Sequence, residues 1–244
     1  MSKTNKQLHS VDTSSPGTTL QGQRQFLQQL KQINMSNKNN QLHPVEMVHD
    51  GKFNTYTGKI FNLLNPDADS IYIEDVAHSL AMQCRWGGHS RVFYSVAQHC
   101  VLATEFAFKS LTSSNLDKYK INYMLLAVLL HDGHEAYTGD VIKPLKVLLG
   151  DYEKIAKPIQ DAVERRFNIK RTETVNKLIH LSDTAMMHAE FDFLYSGDEA
   201  PMLELMNWTP YYNSYGLSWT PEHAEKAFIG SFRHIINLIY ESHE

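Results

Sequence analysis

The strongest constraint on how this chain folds is the stretch Leu125–Lys143, LLAVLLHDGHEAYTGDVIK. An almost unbroken apolar run from Met124 to Leu130 ends abruptly in His131-Asp132, with Glu135 and Asp140 close behind. A helix apolar on every side belongs at the centre of a domain. Placing an imidazole and a carboxylate together at its end takes costly polar groups out of water unless something pairs with them. A divalent metal is a natural partner, since neutral imidazole and carboxylate oxygen are both good ligands for first-row ions.

The length of 244 residues suits one large domain or two small ones. A net charge of −4 argues against a surface for nucleic-acid polymers, which calls for a basic face. Small phosphorylated substrates need only a few local cations. Two cysteines, Cys84 and Cys100, are too few for a disulfide scaffold and indicate a reducing compartment. No apolar run reaches the roughly 18 residues of a membrane span, and the N-terminus lacks a signal-peptide core. The expectation is a cytoplasmic protein.

Residues 1–45 are rich in Gln, Asn, Ser and Lys, and read as a polar tail or oligomer arm holding at most one short amphipathic helix around Leu20, Phe26, Leu27 and Leu30. The turn signals HDGK, TGK and NPDAD between Met47 and Asp69 predict a small β-hairpin. Helical spacing then recurs from Ile73 to Ala81, from Val96 to Ala107 with His99 on board, and over about 120–131. It recurs again from Tyr152 to Val163, over about 173–194 with Asp183 inside, and from Thr220-Pro221 to Ile239. The segment 196–219 reads as irregular and aromatic, a candidate oligomer contact or specificity element. The expected fold is all-α, a helical bundle with a small N-terminal hairpin, spanning 46–244.

The metal ligands are then sought among separate helices. His99, His131, Asp132 and Asp183 lie on or at the end of different predicted helices, the adjacent pair apart. Any one alone is more often a core histidine or a solvated carboxylate. Their order and spacing resemble the HD-domain metal-dependent phosphohydrolases, whose pattern is a His, a His-Asp pair and a distant Asp. Here His99 precedes His131 by 32 residues, and Asp183 follows Asp132 by 51. HDGHEAYTGD resembles the HDxxE…TGD segment of the nucleotide-hydrolysing branch, represented by bacterial 5′-deoxynucleotidases and phage triphosphohydrolases acting on dATP. Arg85-Trp86 resembles that branch's substrate-holding pair. The likeness covers roughly residues 47–195.

The resemblance implies one divalent ion per site, Mn²⁺, Co²⁺, Zn²⁺ or Fe²⁺, held by His99, His131, Asp132 and Asp183. Such an ion would acidify bound water and neutralise a phosphoryl oxygen. It implies Glu135 as the base for the attacking water and Asp140 as its partner. Arg85 and Trp86 would bind the phosphate and the deoxyribose or base, and His89 would touch substrate. Lys143, with Lys146 and Arg91, is a lesser candidate for outer phosphates. The implied activity is hydrolysis of deoxynucleotides at the 5′-phosphate, foremost a dATP-preferring triphosphohydrolase. The alternatives are a 5′-deoxynucleotidase on dNMPs, a cyclic- or signalling-nucleotide phosphodiesterase, and a non-catalytic nucleotide-binding protein. A homo-oligomer is implied as well.

Overall fold

The structure is a computed structural model that describes residues 51–206 and 216–242, with Gln28 alone before them. The chain divides into a unit Met1–Lys38 and a second unit Asn39–Glu244, to which all that follows refers. The tail read over 1–45 and the aromatics Trp208, Tyr211, Tyr212 and Tyr215 lie outside the described residues.

The second unit is predominantly α-helical. Strands β1 (Lys52–Asn54) and β2 (Ile60–Asn62) pair antiparallel, Phe53 facing Phe61. The helices are α1 (Ile73–Met82), α2 (Val96–Leu111), α3 (Lys118–Leu129), a single turn α4 (Glu135–Thr138), α5 (Lys143–Leu148), α6 (Tyr152–Arg166), α7 (Glu173–Phe191), α8 (Ala200–Met206) and α9 (Pro221–Glu241). Three of these depart from the sequence reading, the first being α4, a single turn where no helix was expected. α5 falls where no helix was expected, in a six-residue stretch with Pro144 in its first turn and too short to show a period. α8 interrupts the segment read as irregular.

α3 is the core helix that its composition demands. Met124 to Leu130 are all buried, with Leu126, Leu129 and Leu130 fully so. Asp117 caps its start by accepting from Lys120 N at 2.9 Å. Around it pack α2, α7 and α9, while α1 closes against α2 and α9. The ring of Phe167, just past α6, meets Phe232 of α9 edge-on with centroids 5.3 Å apart.

Two polar contacts hold the ends of this bundle together. Buried Asp75, in the first turn of α1, accepts from the Thr57 amide at 2.6 Å and its hydroxyl at 2.9 Å, fixing the hairpin turn. Gln98 of α2 is fully buried; its amide donates to Leu217 O at 2.8 Å and accepts from Trp219 N at 3.1 Å. It thus docks the chain entering α9. Gln98→Leu removes both hydrogen bonds, and the expected loss is about 0.5–1.5 kcal/mol for each. Denaturant unfolding of the purified variant measures it. No helix among the described residues is long and apolar enough to cross a membrane.

Candidate metal centre

The bundle brings His99, His131, Asp132 and Asp183 to one point. Ser95 caps α2 by accepting from Gln98 N at 3.1 Å, and His99 follows in the first turn. α3 ends at Leu129, and a tight turn carries His131-Asp132 outward, with Gly133 N donating to Leu130 O at 3.1 Å. Gly133 suits that turn because a Cβ there would stand 2.9 Å from the Val163 side chain. Asp183 arrives from the middle of α7.

The donor atoms are close. His99 Nε2 lies 3.2 Å from Asp183 Oδ1 and 4.0 Å from Asp132 Oδ2. His131 Nε2 lies 3.2 Å from Asp132 Oδ2 and 4.0 Å from Asp183 Oδ1. Ligands about 2.1 Å from a tetrahedral ion stand roughly 3.4 Å apart, a value these separations bracket. Both Nε2 atoms are buried and without a hydrogen-bond partner. Buried polar atoms are rarely left so, and an ion accepting both lone pairs accounts for the arrangement. The donor set therefore fits a divalent metal. Cys100 is a second possible donor beside His131 and Asp132. Burial pushes its thiol up to about 11, which disfavours the thiolate a metal needs.

The electrostatics agree. Burial and Arg85 oppose charge on His99, but the carboxylates of Glu190 and Asp183 outweigh them and raise its pKa. Burial likewise opposes charge on His131, and Asp132 overcomes it. Asp132 is held well below the usual carboxylate range, since the imidazoles and Arg85 outweigh its burial. The carboxylates thus draw positive charge toward the imidazoles, the kind of charge that a divalent ion would supply.

Glu135 and Asp140 stand beside this centre. Glu135 begins α4 in a buried position, its amide donating to Asp132 O at 2.9 Å. Its Oε1 takes Lys146 Nζ at 2.8 Å, while Oε2 is buried with no hydrogen-bond partner. Burial first, then Asp132 and Asp140, push the Glu135 carboxyl up to about 8. Asp140 is raised by burial, against the pull of Arg85 and Lys146. The segment between them is clamped by Gln83. This side chain donates to Glu135 O at 3.0 Å and accepts from Asp140 N at 2.8 Å. Phe61 of the hairpin stacks on Tyr137 at 3.9 Å, which seats α4 from the other side.

Arg85 and Trp86 enter on a loop closed by backbone pairing. Cys84 bridges Ser95, and Arg85 N donates to Tyr94 O at 2.8 Å. The Arg85 guanidinium reaches Glu190 Oε2 at 3.1 Å and lies 3.9 Å from Asp132 Oδ2. Trp86 sits at φ 61°, in the left-handed region that costs a non-glycine residue about 1–3 kcal/mol, and its indole tilts against Phe191 and Tyr195. His89 and Lys143 are both exposed, and neither has a hydrogen bond or ion pair to the four donors. The lysine that meets the site is Lys146, one turn further along α5.

Two further residues of the site, Gln83 and Glu190, belong to none of the sequence motifs. Gln83 carried no signal, because an amide that holds two backbone groups distant in sequence has no local pattern. Glu190 did carry one: it follows Asp183 by two helical turns, on the same face of α7.

No family model matches the chain. Over 191 residues it is 31% identical to the uncharacterized protein YfdR of Escherichia coli K12, covering 75% of this chain and 95% of that protein. Over 149 residues it is 32% identical to the uncharacterized protein RCAP_rcc00048 of Rhodobacter capsulatus, covering 59% of this chain and 73% of that protein.

Proposed function

The chain belongs to the family of E. coli YfdR and R. capsulatus RCAP_rcc00048, and for it we propose metal-dependent hydrolysis of deoxynucleotides at the 5′-phosphate, as an HD-domain phosphohydrolase. The preferred substrate in this reading is dATP, released as deoxyadenosine and triphosphate. The observation that carries the proposal is the approach of the Asp132 and Asp183 carboxylates, to 3.2–4.0 Å, on the buried Nε2 atoms of His99 and His131. A cytoplasmic setting and a homo-oligomer belong to the same reading.

A divalent ion at these donors supplies a more acidic water and charge neutralisation at the phosphoryl group. The remaining work falls to the protein. Arg85, its charge stabilised by Glu190 and Asp132, offers a guanidinium to the phosphate. Glu135 takes the proton of the attacking water at its free Oε2, which needs a group that exchanges protons near neutrality. Asp140, held by Gln83, hands a proton to the departing O5′. The water oxygen joins phosphorus as the P–O5′ bond breaks, so the nucleoside leaves as an alcohol.

Purified protein loaded with Mn²⁺ or Co²⁺ is incubated with dNTPs, dNMPs and ribonucleotides, and nucleoside and phosphate products are separated. Deoxyadenosine and triphosphate from dATP is the expected result. Turnover of dNMPs alone moves the assignment to a 5′-deoxynucleotidase. A metal-loaded protein that binds nucleotides and turns over none of them overturns the enzyme reading.

A further inference from the structure

His131 and His99 are anchored by different means, and the difference identifies a residue with two tasks. His131 is held through Nδ1 by a backbone carbonyl, Val128 O at 2.7 Å. His99 is held through Nδ1 by a carboxylate, Glu190 Oε1 at 2.6 Å. An ionised carboxylate only accepts, so Nδ1 of His99 carries the hydrogen and Nε2 is left to point its lone pair at Asp183 and Asp132. Glu190 is fully buried, and its second oxygen is occupied by Arg85 Nε at 3.1 Å. One carboxylate therefore grips the His99 imidazole with one oxygen and the Arg85 guanidinium with the other.

We infer that Glu190 is a positioning residue that fixes the His99 tautomer for metal binding and couples it, through Arg85, to phosphate binding. The inference rests on the metal-centre reading above and adds to it a residue that touches neither metal nor substrate. A carboxylate behind a ligand histidine sets ring orientation and raises ligand basicity. Without it, His99 is free to place its hydrogen on Nε2, where the N–H would face the ion. Arg85, 3.9 Å from Asp132, would lose its fixed partner and be free to swing onto the ligand carboxylate. Both effects weaken the same centre.

The test measures Mn²⁺ binding by calorimetry and inorganic phosphate binding to the Mn²⁺-loaded protein. It also reads the His99 tautomer in metal-free protein from imidazole ¹⁵N shifts at alkaline pH. Glu190→Ala is expected to bind Mn²⁺ about 10–100-fold more weakly, with His99 losing its Nδ1–H preference. Glu190→Gln preserves the shape and guards against a variant that fails to fold. Its amide has one accepting oxygen, so it satisfies His99 or Arg85 and turns a donor toward the other. Either Mn²⁺ or phosphate affinity then falls. Arg85→Met removes a cation beside the ligands and is expected to bind Mn²⁺ at least as tightly as the wild type, while phosphate affinity drops. Wild-type Mn²⁺ affinity, phosphate affinity and His99 tautomer in folded Glu190→Gln overturn the inference. A wild-type protein that binds none of Mn²⁺, Co²⁺ or Zn²⁺ removes the metal-centre reading instead.

Discussion

Asp132→Ala is expected to lower deoxynucleotide turnover on the order of 10³-fold or more, because residues that act as one unit fail together when any member is lost. The same variant should lose metal-linked stabilisation. An ion that binds only the folded protein stabilises it by about 2.7 kcal/mol at a concentration 100 times its Kd. Wild-type protein should therefore melt at a higher temperature with Mn²⁺ or Co²⁺ than with a chelator, and Asp132→Ala should show no such difference. Its metal-free fold should persist. The Asp132 side chain is part-exposed at 20%, and Arg85 keeps Glu190 as a partner when it is gone. The paired measurement separates causes: lost activity with intact metal-linked stabilisation would remove Asp132 from the ligand set while sparing the others. Unchanged turnover would remove the catalytic assignment altogether.

Much of this site was legible in the sequence for a physical reason. A buried helix announces itself by apolar residues on all faces, and His131-Asp132 stood out because polar groups at such an end need a partner. His99 and Asp183 were legible only as members of an ordered set, since neither is unusual alone. Helix bounds followed the periodicity closely at α2, α6 and α9, where one face is apolar over several turns. Elsewhere tertiary contacts decide the structure. α5 leaves Leu145, Val147 and Leu148 exposed, so it has no buried stripe to betray it. Lys143, Lys146 and Arg91 are alike as surface cations in the sequence; what distinguishes Lys146 is its contact with Glu135 at 2.8 Å. Asp75 sits in the first turn of α1, and its partner Thr57 lies in the hairpin turn 18 residues before it, beyond any local pattern.

Glu135→Gln should cut turnover about 10²–10⁴-fold, the usual contribution of a placed acid–base group, while Mn²⁺ affinity stays near that of the wild type. The ligand atoms are untouched in this variant, so a parallel loss of metal would make Glu135 a structural support and not a proton acceptor. Its titration gives a second handle. In metal-free protein the carboxyl is pushed from 4.5 up to about 8. The folded state therefore keeps a proton that the unfolded chain releases across this window. The stability this contributes is complete below 4.5 and is lost as pH rises through about 8. Metal-free Glu135→Gln, which has no proton to give up, should lose less stability over the same interval, read by thermal melts at stepped pH. In the loaded enzyme a neighbouring cation favours the ionised carboxylate, so the rising limb of turnover against pH should fall below 8. That limb should vanish in Glu135→Gln, because a base must shed its proton before it can accept one from water. A residual rate with the same rising limb would assign the titration to another group, with Asp140, whose pKa burial also raises, the next residue to replace.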